Sequence, residues 1–213
     1  MSGAREAVLA RVRAALGPAT EIPEVPRAYR EAGALGAGGD SVTVDRFCER
    51  VMDYRATVKR VRADELPRAL MAACAQREVR RIAVPVQAPP WTVDGVEMVR
   101  DDPPLSPRQL DELDGVLSGC ALAIAETGTI VLDGLGASGR RALTLVPDYH
   151  LCVVRSDDIV PSVPDAMAAL ARVAAEGRPI TFISGPSATS DIELDRVEGV
   201  HGPRTLDVFV VEC

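Results

Sequence analysis

A short apolar run over residues 179–184 stops at Gly185-Pro186 and leads into the densest group of reactive side chains in the sequence. Its length and β-branched content predict a buried strand, and the Gly-Pro pair predicts a turn at the end of that strand. Proteins of the α/β class keep their chemistry at strand ends. This stretch therefore favours an α/β fold with a candidate site at the strand end.

The predicted turn carries hydroxyl and carboxylate groups and is followed by one of the two histidines of the chain. These residues are Ser187, Thr189, Ser190, Asp191, Glu193 and His201, with Gly202-Pro203 closing the stretch. A plainer interpretation is a helix start, in which Ser187 and the nearby acids cap the first turn. Capping needs only one hydroxyl and one acid, so five such groups favour a functional site, and the capping alternative stays open.

Composition excludes several function classes. Hydrophobic residues make up 47% of the 213 residues and charged residues 26%, as in a globular protein with a sizeable core. The formal net charge of -7 argues against a surface for duplex nucleic acid, and 3% aromatic residues leave no stacking platform for single strands. No apolar run approaches the roughly 18 residues of a membrane span, and the first residues lack the apolar region of a signal peptide. We expect a cytoplasmic protein.

The chain has five scattered cysteines and two histidines, the residue types that would form a zinc or iron–sulfur site. No Cys-x-x-Cys pair is present, so the spacing fits neither a disulfide framework nor a zinc or iron–sulfur site. The histidines lack the spacing of a helical metal site, so no metal is predicted in this chain. Most of the thiols are expected to be buried and reduced.

The periodicity of apolar residues predicts three layers around one mixed sheet of about seven strands, with crossover helices in the first half and antiparallel hairpins later. Helices are predicted over 2–16, 45–54, 63–78, 106 to about 113 or 116, and 163–175. Strands are predicted over 56–61, 81–86, 95–99, 120–125, 130–133, 142–146, 151–154, 179–184 and 205–211.

The first 40 residues are expected to form a helix and a proline- and glycine-rich arm, followed by an α/β domain over 41–213. The amphipathic helix 2–16 could pack against a neighbouring subunit or fold back on its own.

Glu126 directly follows a predicted strand, in Glu126-Thr127-Gly128-Thr129. A carboxylate there suits a general base or a nucleophile, and Gly128 lets the backbone approach a ligand. The alternative is a β-bulge with Glu126 in solvent. The glycine-rich run 134–139 is followed by a predicted strand rather than by a helix, which excludes a dinucleotide site, although Arg140 or Arg141 could hold a phosphate.

His150 lies between two predicted strands, where it could bind a substrate or cap a hairpin by bonding to Asp148. We expect Glu126, His150 and His201 to be catalytic and to converge with the turn after residue 184 at one sheet edge, around a small carboxylate or phosphate. The expected substrate-binding residues are Thr127, Gly128, Thr129, Ser184, Gly185, Ser187, Thr189, Asp191, Glu193 and Gly202.

Four segments together resemble the lactate utilisation protein C family, also called the LutC/YkgG or LUD-domain family. They are residues 125–129, 143–150, 180–193 and 199–203, and the resemblance covers roughly residues 40–213. It implies a fold similar to the NagB/RpiA/CoA-transferase group and a role in bacterial oxidation of L-lactate to pyruvate. It also implies two partner proteins that carry iron–sulfur clusters, with this chain as the component that holds none.

Two hypotheses follow from the resemblance. In the first, the chain is a non-redox subunit that docks through its N-terminal helix and arm and contributes a substrate pocket. In the second, it is a self-sufficient enzyme acting on an acyl thioester or a sugar phosphate. Glu126-Thr127-Gly128 is similar to the short Glu-x-Gly turn that carries the catalytic glutamate of CoA-transferases, although the analogy is one of fold and motif only.

Overall fold

A computed structural model describes residues 2–17, 24–33, 36–186, 189–190, 196–197 and 202–212. The chain divides into two compact units, Met1–Arg30 and Glu31–Cys213. The first unit contains helix α1 (Ser2–Leu16), which confirms the predicted helix. Apolar side chains of α1 are exposed, including Val8 at 58% and Leu16 at 73%.

The second unit contains the remaining elements. Its helices are α2 (Ser41–Asp53), α3 (Leu66–Gln76), α4 (Pro107–Asp111), α5 (Arg141–Leu145) and α6 (Val163–Ala175). Its strands are β1 (Thr57–Arg62), β2 (Arg81–Val84), β3 (Glu97–Arg100), β4 (Gly115–Ser118), β5 (Leu122–Ile124), β6 (Thr129–Leu132), β7 (Tyr149–Arg155), β8 (Ile159–Val160), β9 (Thr181–Ile183), β10 (Thr189–Ser190), β11 (Arg196–Val197) and β12 (Thr205–Glu212).

The larger sheet has six strands in the order β1-β12-β7-β4-β2-β3, and each neighbouring pair is parallel. The central strands β7 and β12 are buried along nearly their whole length. This agrees with their continuous apolar sequences, because a parallel strand covered on both faces needs no polar alternation. The predicted α/β class is confirmed.

A second sheet has four strands in the order β8-β5-β6-β9. Strands β5 and β6 form an antiparallel hairpin, β9 runs antiparallel to β6, and β8 runs parallel to β5. The strands that the sequence assigns to one mixed sheet are therefore divided between a parallel sheet and a smaller mixed one. The predicted hairpin after residue 120 is present in the smaller sheet.

The two sheets share the main apolar core. Phe47 of α2, Ala123 of β5 and Ile130 of β6 pack with Cys152 of β7 and Val208 of β12. On the opposite face of the parallel sheet, α3 packs against β7 and β12 in a second core cluster. Helix α6 covers the outer face of the smaller sheet through Ala166 and Leu170. The smaller sheet is thus a layer that the sequence analysis did not separate from the parallel sheet.

Two element predictions are wrong. Residues 142–146 were predicted as a strand, but α5 occupies 141–145 and buries Leu143 against Ala83 and Val116. Periodicity over five residues does not distinguish a strand from one helical turn. Strand β4 was not predicted, because its residues were placed at the end of a helix that in the structure stops at Asp111.

Candidate functional site

The turn that carries Glu126 joins β5 to β6 and lies against the end of α2. Ile124 and Thr129 are paired across the hairpin, and Gly128 has φ +60°, in the left-handed region. A Cβ added at Gly128 would lie 2.6 Å from the carbonyl carbon of Arg50. The close approach that Gly128 permits is therefore to the backbone of α2. The residues between β5 and β6 form a tight hairpin turn and not the β-bulge of the alternative interpretation.

A cavity of about 320 Å³ opens at this junction. It is lined by Arg50, Asp53 and Tyr54 from the end of α2 and by Glu126 and Thr127 from the turn. The Glu126 amide donates a hydrogen bond of 3.1 Å to the Pro161 carbonyl, which fixes the backbone at this point. A volume of roughly 300 Å³ is at the small end of the range for small-molecule sites.

Arg50 supplies a positive charge to the cavity wall. Its Nη1 lies 3.2 Å from the Asp53 carboxylate, and its side chain is 37% exposed. Its Nε is buried and has no hydrogen-bond partner among the described residues. An arginine on the wall of a small cavity can donate hydrogen bonds to a carboxylate or phosphate oxygen.

Three hydroxyls form a chain that starts in the same turn. Thr127 Oγ1 lies 2.7 Å from Thr129 Oγ1, which lies 2.7 Å from Ser184 Oγ. The contact to Ser184 arises because β6 pairs with β9, which ends at Ile183. The sequence assigned these hydroxyls to two separate motifs, and the structure joins them.

Gly185 brings the segment after β9 to the cavity wall. It has φ +99°, and an added Cβ would lie 2.7 Å from the Cβ of Tyr54. Tyr54 lines the same cavity as Glu126. The structure thus brings together Glu126, Thr127, Gly128, Thr129, Ser184 and Gly185, which is the first half of the predicted constellation.

The second half is only partly covered by the described residues. Ser187, Asp191, Glu193 and His201 lie outside them. Thr189 belongs to β10, which pairs antiparallel with β11. The backbone at residues 189–190 is therefore extended. The capping alternative would require a helical backbone there. Gly202 has φ +86°, and a Cβ added there would lie 3.7 Å from Leu145 of α5.

His150 lies inside β7 and is 1% exposed. Its Nε2 is 2.7 Å from Ser118 Oγ, on the neighbouring strand β4. Asp148, the expected capping partner of His150, pairs instead with Arg204 at 2.8 Å. The hairpin-cap interpretation of His150 is wrong, and its observed contact belongs to the parallel sheet.

Arg140 does not offer a free guanidinium for a phosphate. It makes two hydrogen bonds, of 2.6 and 2.9 Å, to Asp101, which is 4% exposed. The hydrogen bond to Asp101 raises the pKa of Arg140. This pair ties the glycine-rich run to the end of β3, so of the two candidate phosphate ligands only Arg141 stays exposed.

Sequence reasoning missed Arg50, Asp53 and Tyr54 as candidate site residues. The three positions are spaced i, i+3 and i+4, so they share one side of the last turn of α2. That spacing was visible, but nothing in the sequence indicated that this turn meets the hairpin 76 residues later. Among the described residues, no group of three or more His, Cys, Asp or Glu side chains could hold a metal ion.

Known proteins that resemble this chain carry related names. Residues 106–211 match the LUD domain family. A protein of Deinococcus radiodurans named lactate utilization protein C is 54% identical over 167 residues, which are 78% of each chain. Another lactate utilization protein C, of Halalkalibacterium halodurans, is 39% identical over 42% of this chain and 40% of its own length.

The fold also has a solved counterpart. The crystal structure of a DUF162 family protein from Deinococcus radiodurans is 47% identical, covers 79% of this chain and 96% of its own, and has a TM-score of 0.69. In the part of this chain that the structure describes, no helix is both long and apolar enough to cross a membrane. From the extent of its identity to the first of these relatives, the chain belongs to the LUD-domain family of lactate utilization C proteins.

Proposed function

We propose that this protein takes part in bacterial lactate utilisation and that the cavity beside Glu126 binds a small carboxylate, L-lactate or its oxidation product pyruvate. The names of its relatives support the pathway. The observation that supports a carboxylate ligand is the lining of the cavity, which includes the guanidinium-bearing Arg50 and the hydroxyl-bearing Tyr54 and Thr127.

Each wall of the cavity has a function in this proposal. The guanidinium of Arg50 pairs with the ligand carboxylate, and Thr127 or Tyr54 hydrogen-bonds the neighbouring oxygen. Glu126 accepts a hydrogen bond from the 2-hydroxyl of lactate, which pyruvate lacks, so it favours lactate over pyruvate. The chain Thr127–Thr129–Ser184 fixes the rotamer of the turn hydroxyls before the ligand arrives.

The oxidation itself needs an electron acceptor. We assign that task to iron–sulfur partner proteins, as the family resemblance implies, and give this chain the task of holding the carboxylate. Docking through α1 suits this arrangement, because the helix exposes Val8 and Leu16. A homo-oligomer formed through α1 is the other use of the same surface.

The binding test compares two arginines of α2. Arg50→Gln removes the cavity charge, whereas Arg46→Gln removes an arginine in an exposed ion pair with Glu49 on the same helix. Titration calorimetry of L-lactate into the purified chain should show affinity at least about tenfold lower for Arg50→Gln and unchanged for Arg46→Gln. Equal affinities in the two variants would place the ligand elsewhere.

The pathway test is separate from the binding test. Deletion of the gene in its own bacterium should abolish growth on L-lactate but not on pyruvate. In a separate strain that carries the gene with a tag, the chain is purified from cells grown on L-lactate. Recovery of iron–sulfur proteins with lactate-dependent dye reduction supports a subunit. Normal growth of the deletion strain on L-lactate contradicts the proposed pathway.

A second candidate function is acyl transfer from a thioester, with Glu126 as the nucleophile. It is favoured by one observation, the position of Glu126 on a cavity wall within a Glu-x-Gly hairpin turn. This hypothesis predicts that the purified chain alone exchanges coenzyme A between acyl groups and that Glu126→Gln abolishes the exchange. Lack of exchange by the unaltered chain rejects it.

A further inference from the structure

Strand β9 has the sequence of an interior strand but lies at the edge of its sheet. Residues 180–183 are Ile-Thr-Phe-Ile, without a charged side chain, and β9 is the last strand in the order β8-β5-β6-β9. Phe182 is 49% exposed in a single copy of the chain, whereas Phe47 and Phe209 are fully buried. An uncharged, apolar edge strand is a template for pairing with another strand.

The other three sheet edges are protected. Strand β1 carries three basic side chains, and β3 carries one acidic and one basic side chain, so charges guard both edges of the parallel sheet. At the far edge of the smaller sheet, the Gly39 amide donates 3.1 Å to the Ile159 carbonyl of β8, which covers that strand. Charge and cover are common protections of an edge. Among the described residues, β9 has neither and is protected only by its length of three residues.

The backbone of Phe182 is directed to the open edge. Phe182 pairs with Val131 of β6, whose carbonyl accepts a hydrogen bond of 2.9 Å from the Ala121 amide on the β5 side. Successive residues of a strand direct their polar groups to opposite sides, so the two neighbours of Val131 bond to β9 on either side of Phe182. Phe182 itself therefore directs its N–H and C=O groups away from β6.

We propose that two copies of the chain pair through β9, antiparallel about a two-fold axis at Phe182, and so join their smaller sheets into one sheet of eight strands. A two-fold axis perpendicular to a sheet makes two identical edge strands antiparallel. Each Phe182 N–H then donates to the Phe182 carbonyl of the second copy, and the two aromatic rings become direct cross-strand neighbours. The same uncharged strand fits this edge without burying a charge, and its exposed aromatic residue is the middle one of the three.

The interface extends beyond the strand. Val131 lies in the core cluster beneath α6, so Phe182 and α6 share one face of the smaller sheet. Helix α6 exposes Met167 by 50%, which adds apolar area to an interface that a strand of three residues leaves small. The interface also adjoins the candidate site, because Ser184 of the hydroxyl chain directly follows Ile183. Pairing through β9 does not depend on the ligand of that site.

Sedimentation analysis of the full chain, from micromolar to submillimolar concentration, tests the pairing. The mass should approach twice the 22.6 kDa of one chain. Phe182→Lys places two positive charges opposite each other at the axis and should weaken the dimer at least about tenfold, whereas Phe182→Leu keeps an apolar side chain and should retain it. Met52→Lys is the matched control, because Met52 is an apolar residue of α2 that is 54% exposed, and it should leave the dimer unchanged.

Hydrogen exchange gives a measurement at the strand itself. The Phe182 amide should exchange more slowly in the dimer than in the monomer, because pairing gives it a hydrogen-bond acceptor. Should Phe182→Lys fail to fold, this comparison on the parent chain decides. The proposal is overturned by a monomer at every concentration, by a dimer that keeps its affinity in Phe182→Lys or loses it in Met52→Lys, or by a Phe182 amide that exchanges equally fast in monomer and dimer.

Discussion

Replacement of Tyr149 by phenylalanine tests how much one buried hydrogen bond stabilises the parallel sheet. The Tyr149 hydroxyl donates 2.6 Å to Asp207 Oδ2, and Asp207 is 5% exposed on the neighbouring strand β12. The other carboxylate oxygen, Oδ1, is buried without a hydrogen-bond partner among the described residues. The Arg77 guanidinium lies 4.9 Å from the centre of the Tyr149 ring and 3.8 Å from Oδ1.

Tyr149→Phe keeps the ring and its contact with Arg77 but removes the only described donor to the carboxylate. A hydrogen bond to a charged, buried group stabilises a protein by about 1.5–3 kcal/mol. At roughly 2–4 °C per kcal/mol for a chain of this length, the melting temperature should fall by roughly 3–12 °C. Urea unfolding at pH 7 measures the free energy directly.

The matched control is Tyr29→Phe, because Tyr29 is 72% exposed. Its free energy of unfolding should stay within about 0.5 kcal/mol of the parent chain. If Tyr149→Phe also falls within that limit, the carboxylate of Asp207 does not depend on this donor and the reasoning is refuted.

The pH dependence gives an independent check. Burial, and then the hydrogen bond to Asp207, raise the pKa of Tyr149 above its ordinary value. The stabilisation is therefore complete below about pH 10, where the unfolded tyrosine keeps its proton, and is lost as pH rises above that value. The difference in stability between the parent chain and Tyr149→Phe should shrink above about pH 10. A constant difference would mean that the phenol titrates alike in both states.

Two further substitutions test the packing around the site. Gly128→Ala places a methyl group 2.6 Å from the Arg50 backbone at a positive φ and should cost about 1–3 kcal/mol in urea unfolding, whereas Gly177→Ala, with φ +68° and open space, should cost about 1 kcal/mol or less. Asp101→Asn weakens the pair with Arg140 and should cost about 1–3 kcal/mol, measured in the same way. Equal costs for the two glycines would contradict the contact with α2.

Much of the fold followed from local pattern because the central strands of the parallel sheet are apolar on both faces, although the predicted burial of β9 is wrong, since Phe182 is 49% exposed. The runs that became β2, β7 and β12 have no alternation and end at turn signals, as buried parallel strands do. Helix α2 buries Val44, Phe47 and Val51 at helical spacing, so its type was also predictable. These elements are specified by the burial of apolar side chains, and the spacing of apolar residues is visible in the sequence.

The division into two sheets was not predictable in the same way. Strand β5 is a three-residue apolar segment that follows β4 after a short break, and both are buried throughout. Local sequence predicts a strand at β5 but assigns the start of β4 to a helix. It does not say which partner either strand pairs with, since pairing depends on contacts distant along the chain. The predicted strand over 142–146 is wrong for a related reason, because a buried leucine such as Leu143 fits a helical turn as well as a strand.

The candidate site shows the same limit. Glu126 and Thr127 were identified because they follow an apolar strand, which is a local signal. Arg50 and Tyr54 reach the cavity only through the packing of α2 on Gly128. The sequence predicts that Gly128 permits a close approach, but it does not indicate that a helix, rather than a ligand, makes that approach.

The topology explains why the described cavity lies beside the smaller sheet. From β2 the chain proceeds outward to β3, and from β4 it proceeds the other way through β7 to β12, so the connections reverse between β2 and β4. Open α/β sheets usually bind ligands at such a reversal. Here the chain itself occupies it: Gly119 donates 2.8 Å to the Ala137 carbonyl, and an added Cβ at Gly119 would lie 2.8 Å from the Ala137 side chain and 3.5 Å from Trp91. With that crevice filled, the hairpin of the second sheet and the end of α2 supply the open polar surface instead.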